Sequence, residues 1–229
     1  LTTNSVKRNF STIRSIINLC IQEYGLDCKN AFSRVYLPDL DDSKKRKPIP
    51  IENIRQIQKD CMQADDEARW LAALISDTGM RLSEAAGLHI DDIKLDCEIP
   101  HIDLKPHVWR SLKTKGSQRD IPLVGASLWA ANRVVENAAN KFAFPRYCSS
   151  EGCNADYASN TLNKWLRWYV PEGCVVHSFR HSFRDRLRAV ECPSEIIDQL
   201  GGWSFKSVGQ GYGEGYNLNH LKKWINLIL

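Results

Sequence analysis

The sequence predicts a mostly helical protein carrying one small three-stranded antiparallel sheet. Two observations carry that reading. Apolar residues recur at helical spacing through most of the 229 residues. Only residues 93–124 change to short β-like runs separated by turn chemistry, an α+β pattern. Internal repeats and low-complexity tracts are absent from the sequence.

In chain order, Phe10, Ile13, Ile16, Ile17, Cys20, Ile21 and Tyr24 predict a first helix over 9–24, stopped by Gly25. "LPDLDDSKKRKPIP" follows, with three prolines and a basic run, and reads as a linker that buries nothing. The period alone then predicts helices at 51–64 and 66–77. Gly79 ends the second, and a short helix starts near Ser83. "IPHIDL", "VWRSLKT" and "RDIPLV" are the expected strands, with "KTKGSQR" as a hairpin turn. Further helices are expected at 126–142, 158–169, 177–190, 194–200 and 217–228, the last with Leu221, Trp224, Ile225 and Ile228 on one face.

Bulk composition excludes more than it assigns. A net charge of +4 and a pI near 8.6 permit a polyanionic partner without resembling a histone. No apolar run reaches the length of a membrane span, so no membrane partner is expected. The opening "LTTNSVKRNF" has neither an initiator Met nor a signal-peptide core, and reads as part of something longer. Eight cysteines lie scattered without a regular framework and read as reduced thiols. Cys148, Cys153, Cys174 and His177 raise the question of zinc, but "CSSEGC" lacks knuckle spacing, and no metal is expected.

"VHSFRHSFRDRLRAV" (176–190) packs two histidines and four arginines together. On a helix His177, Arg180, His181, Arg184 and Arg188 share one face, opposite Phe179, Phe183, Leu187 and Val190. Acids at i,i+4 are scarce, and the first turn of a helix favours an anion, so the helix start is expected to face a phosphate. Arg184, Arg186 and Arg188 keep the plainer reading of contact with a nucleic-acid backbone or solvated charge. Arg81 in "DTGMRLSEAAGL" either pairs with Glu84 or points into a cleft. "QLGGWSFKSVGQGYGEGY" presents Trp203, Tyr212 and Tyr216 on glycine-rich backbone.

Taken in order, "TGMRLSE", "LKTKGSQRDIPL", "HSFRH", "LGGWS" and Tyr212, nine residues after Trp203, resemble the catalytic domain of the tyrosine recombinases, the phage-integrase family. The resemblance spans about 48–229; each box alone is weak, but five in order are specific. It implies the tyrosine-recombinase catalytic-domain fold at 50–229. Residues 1–40 would then be the last helix of an upstream core-binding domain, and 41–49 a linker. It implies a site-specific DNA recombinase that cleaves and rejoins strands through a 3′-phosphotyrosyl intermediate, integrating or excising a mobile element.

On that resemblance the catalytic residues are Arg81, Lys113, His177, Arg180, Trp203 and Tyr212. Tyr212 would attack the phosphodiester, and Arg81 and Arg180 would hold its non-bridging oxygens. Lys113 would protonate the leaving oxygen, with Lys115 as rival on the same face of a strand. His177 would accept a proton or hold the phosphate, and His181 would support the helix start. Trp203, standing where histidine is commoner, would donate its indole N–H. Tyr216 is the rival nucleophile. No cofactor is implied. The implied partners are double-stranded DNA attachment sites, other recombinase subunits in a tetramer on DNA, and accessory excision or DNA-bending factors, in the bacterial cytoplasm. Two alternatives stand beside it: a type IB topoisomerase-like enzyme, which uses similar residues, and a non-catalytic DNA-binding regulator, in which Tyr212 would be dispensable.

Overall fold

Residues 1–40, 42, 46–203 and 215–229 are described in the computed structural model of the chain. They divide into two compact units, Leu1–Lys45 and Arg46–Leu229.

In the first unit α1 spans Thr3–Glu23, two turns earlier than its apolar period predicts. The extra residues are polar apart from Val6 and show no period; the start is set by Thr2, whose hydroxyl accepts from the Ser5 N–H at 3.3 Å. The chain after α1 returns along it. Phe32 meets Phe10 at 5.8 Å, and the Asp42 carboxylate accepts from the backbone N–H and hydroxyl of Thr3 at 2.7 and 2.9 Å.

The second unit begins by correcting the linker. Ile49 is a core residue, and Ser182 bridges its backbone, accepting from its N–H at 2.7 Å and donating to its carbonyl at 3.0 Å. The helices that follow are α2 (Ile51–Ala64), α3 (Glu67–Thr78) and α4 (Leu82–Ala86). Then come β1 (Ile93–Lys94), β2 (His101–Leu104) and β3 (Arg119–Pro122), an antiparallel sheet in the order β1-β2-β3. Ile93, Ile102 and Ile121 stand in register across it, all buried. After α5 (Gly125–Glu136) a hairpin of β4 (Cys148–Ser149) and β5 (Gly152–Cys153) leads to α6 (Ala155–Leu166). The chain closes with α7 (Ser178–Ala189), α8 (Ser194–Gly201) and α9 (Leu218–Asn226).

The class is as predicted, but one strand is not where expected. "VWRSLKT" is not a strand; the third strand is β1. Pro106 removes a donor, and residues His107–Arg110 close a tight turn with reciprocal backbone bonds at 3.0 and 3.1 Å. The side chains of Trp109 and Arg110 then donate to the Gly87 carbonyl at 3.1 and 3.3 Å, fastening the segment to the end of α4. The 126–142 helix ends early at Glu136, because Asn137 and Asn140 turn their side chains onto the backbone of Arg133 and Phe142.

Two apolar clusters form the interior, and α7 joins them. Phe179 belongs to the cluster built on α2, α3, α5, α6 and the sheet. Phe183 and Leu187 belong to the other, with Leu200 of α8 and Leu221 and Ile225 of α9. The C-terminal helix therefore packs on its own unit. Burying all three α7 side chains, each fully enclosed, fixes which way its arginines point.

Candidate active site

The period-2 pattern of β3 puts Arg119 on the same side as Ile121, facing inward, while Asp120 is exposed. Its guanidinium meets three segments. Nε donates to the Leu200 carbonyl at 2.8 Å, Nη1 to the Ser117 carbonyl at 2.6 Å, and Nη2 to Glu84 Oε2 at 3.3 Å. Glu84 also accepts from the Arg81 guanidinium and, at 3.0 Å, from the Arg81 backbone N–H. Burial would raise the Glu84 carboxyl, but Arg119 and Arg81 hold it below the ordinary range. Arg81 thus makes the salt bridge and still reaches further, donating to Ser117 Oγ at 2.9 Å and the Gly202 carbonyl at 3.4 Å.

Gly79 prepares the place of Arg180. It ends α3 in the left-handed conformation at φ 59°, and a Cβ there would meet the Phe183 ring at 2.4 Å. Its carbonyl accepts from Arg180 Nη1 at 2.7 Å. Among the described residues Arg180 Nη2 is buried without a hydrogen-bond partner. Trp203 lies under both Arg180 and Arg184, with the guanidinium carbons 4.3 and 4.6 Å from its ring centre. Asp198 of α8 pins Arg184 at 3.1 Å. The two turns preceding Trp203 need Gly202, at φ 59°, where a Cβ would stand 2.6 Å from Arg119 Nη1.

His177 caps α7 beside His181, ring centres 5.5 Å apart. The expected backbone anion site at this helix start is not available. The N–H groups of Ser178, Phe179 and Arg180 already donate to Val175, Val176 and His177 carbonyls at 2.7, 3.3 and 3.1 Å. Anion binding here belongs to side chains. Those side chains carry an excess of positive charge, and each discourages the next. Burial, then Arg81 and Arg119, pulls Arg180 down to about 9. Burial, then Arg46, His181, Arg180 and Arg81, pulls His177 down to about 4.

The His177 ring is therefore neutral near pH 7, able to accept as well as donate. Its unfolded form binds a proton below about pH 6.5, so its contribution to stability falls as pH drops from there toward the folded value. Nuclear magnetic resonance of the ring should show no protonation between pH 8 and roughly 5.5; a midpoint near the free-histidine value would mean the ring is not enclosed.

Lys113 lies exposed in a bend between β2 and β3, so the strand alternation that would place Lys115 on its face does not apply. Its loop is nevertheless anchored. Thr114 Oγ1 and Ser117 Oγ are 3.0 Å apart, and Ser117 receives Arg81. Tyr212 lies outside the described residues. Tyr216 is engaged elsewhere: its hydroxyl donates to Glu195 at 3.0 Å, which raises its pKa, and its backbone exchanges two bonds with Gln199 at 2.8 Å. Arg81, His177, Arg180 and Trp203 are brought into one region. Sequence reasoning missed Arg119, Ser117 and Asp198; only the alternation in "RDIPL" signalled that Arg119 points inward.

Among the described residues no three His, Cys, Asp or Glu side chains gather as a metal site. Cys148 and Cys153 instead face each other across the β4–β5 pair. No described helix is long and apolar enough to cross a membrane.

Residues 49–216, nearly three-quarters of the chain, match the profile described as the Phage integrase family. No curated protein matches the sequence. Among solved structures, the Tn1549 transposon integrase in complex with circular intermediate DNA is 18% identical with a TM-score of 0.58, over 97% of this chain and 78% of that one. The integrase from mycobacterium phage Brujita is 13% identical with a TM-score of 0.56, over 100% and 73%. XerA recombinase is 14% identical with a TM-score of 0.54, over 96% and 75%. At such identities these likenesses speak for the fold.

Proposed function

This chain belongs to the phage integrase family and is a site-specific DNA recombinase of the tyrosine type, and on that premise we propose that Arg81, Lys113, His177, Arg180, Trp203 and Tyr212 are its catalytic residues. The observation that carries the proposal is Arg180, buried in a crowd of cations, with an Nη2 that meets no acceptor among the described residues. A phosphate there would satisfy a buried donor and relieve mutual repulsion at once.

In the proposed reaction the Tyr212 oxygen attacks the scissile phosphorus and loses its proton to neutral His177. The bond to the 5′-oxygen breaks, and Lys113 protonates that oxygen. A 3′-phosphotyrosine and a free 5′-hydroxyl result, and attack by a 5′-hydroxyl of another strand reverses the step. Arg81 and Arg180 hold the non-bridging oxygens, where negative charge grows in the transition state. Trp203 adds its indole N–H and, in this structure, a shelf for Arg180. Residues 1–40 would serve as the end of an upstream core-binding domain, and the segment from 41 up to the buried Ile49 as its linker.

The substrate we propose is double-stranded DNA at attachment sites, bound by a tetramer, with accessory excision or bending factors, in the bacterial cytoplasm. The Tn1549 integrase in complex with circular intermediate DNA and XerH bound to its difH substrate support the DNA part of that reading. A nicked suicide substrate tests it. The parent chain should form a covalent DNA adduct that Tyr212→Phe abolishes and Tyr216→Phe keeps. No adduct from the parent would favour a DNA-binding regulator; an adduct lost only in Tyr216→Phe would move the nucleophile. Relaxation of supercoiled DNA without strand exchange would favour the topoisomerase-like alternative.

A further inference from the structure

We infer that Arg119 is the positioning residue of the site: it holds in register the three segments that carry Arg81, Lys113 and Trp203, without itself touching substrate. The inference rests on the recombinase reading above. Each donor of its guanidinium goes to a different segment. The Leu200 carbonyl it binds lies three residues before Trp203, and the Ser117 carbonyl lies in the loop of Lys113. Glu84 Oε2 belongs to the carboxylate that grips Arg81. A planar, rigid fork carries donors on three separate nitrogens and can fasten three such acceptors at once; an ammonium carries its three donors on one atom and cannot span them.

The surroundings leave this group little freedom. Arg119 is 8% exposed, its strand neighbour Ile121 is fully buried, and Gly202 leaves no room for a Cβ beside it. Ser117 closes the arrangement from the other side. Its carbonyl accepts from Arg119 while its hydroxyl accepts from Arg81. A shift of Arg119 therefore displaces Arg81 by two routes, through Glu84 and through Ser117. Small displacements of reacting groups cost large factors in rate, so the effect should fall on chemistry rather than on DNA affinity.

Glu84 supplies a readout that a merely structural role would not move. The charged groups facing it are Arg81, Arg119, Arg110 and Arg180. Burial pushes its carboxyl up; the charge of Arg119 and the bonds and charge of Arg81 hold it down. Without Arg119 the carboxyl takes up a proton at higher pH and loosens its hold on Arg81. Cleavage should then fall on the acid side of the pH profile, where the parent stays flat.

The experiment is single-turnover cleavage of a suicide DNA duplex at saturating protein, with DNA affinity and thermal midpoint measured in parallel. Arg119→Gln should cleave about 100-fold more slowly, bind DNA within about threefold of the parent, and gain the acid limb. Arg119→Lys keeps a cation beside Glu84, protecting the fold; it should cleave at an intermediate rate without the acid limb. Parent-like cleavage by Arg119→Lys and Arg119→Gln would overturn the inference. So would rate and affinity falling together with no new pH dependence. Failure of the parent itself to form an adduct would instead count against the recombinase reading.

Discussion

Arg180→Met should abolish cleavage without weakening the fold. Removing one preorganised donor from a developing oxyanion typically costs 10²–10³-fold, and Arg180 offers a charge as well, so a loss of about 10³-fold in single-turnover rate is expected. Stability should go the other way. Arg180 is buried, with Arg81, Arg119 and Arg184 as cationic neighbours, and among the described residues one guanidinium nitrogen finds no acceptor. A hydrophobic residue of similar length removes the desolvation penalty and the repulsion, which offsets the lost bond to the Gly79 carbonyl. The thermal midpoint should hold or rise. A midpoint lowered by more than about 4 °C, equivalent to roughly 1–2 kcal/mol in a domain of this size, would mean that Arg180 serves the fold.

Arg186→Ala, two turns further along the same helix, should have the opposite profile. Arg186 donates to Asp77 Oδ1 at 2.9 Å, to the Ser76 carbonyl at 3.0 Å, and from Nη2 to the Ile228 carbonyl at 2.6 Å. Asp77 is 1% exposed, so its carboxylate would be left buried without its cation. Breaking such a pair typically costs about 3–5 kcal/mol, which lowers the midpoint of a domain this size by about 6–20 °C. Cleavage measured well below that midpoint should stay near the parental rate, since Arg186 bonds α3 and the chain end rather than the site. A midpoint shift under about 2 °C would show that water replaces the guanidinium.

The contrast between those two arginines marks the limit of reading the sequence. Both lie on one amphipathic helix, and the acids that pair with the later arginines are not at i,i+4. Asp77 comes from α3 and Asp198 from α8, so local spacing held no trace of them. Arg186 consequently read as backbone-contacting or solvated charge, though it clasps α3 and the chain end. The anion site expected at the start of α7 failed for a similar reason. Its backbone donors are used by a turn that begins at Val175, and the turn carries no periodic signal.

Where a signal is local, the chain declares itself. Helical period located α2, α3 and α8 within a residue or so, because their apolar faces had to meet a core. The five motif boxes supplied the proposed site residues and their order, because each box presents one chemical group. Strand alternation was reliable for "RDIPL" and misleading for "VWRSLKT", where Pro106 and the aromatic anchor of Trp109 override it.

By itself, then, the sequence determined the class, the order of elements and the chemistry offered to a phosphodiester. Those follow from period, composition and motif, all of which are local properties of a chain. The tertiary structure alone decided which arginine is free and which is committed. It also decided that Arg119 ties three segments together and that His177 stays neutral. Each of these depends on burial and on partners distant in sequence, and a guanidinium's role is set by the acceptors that folding brings to it.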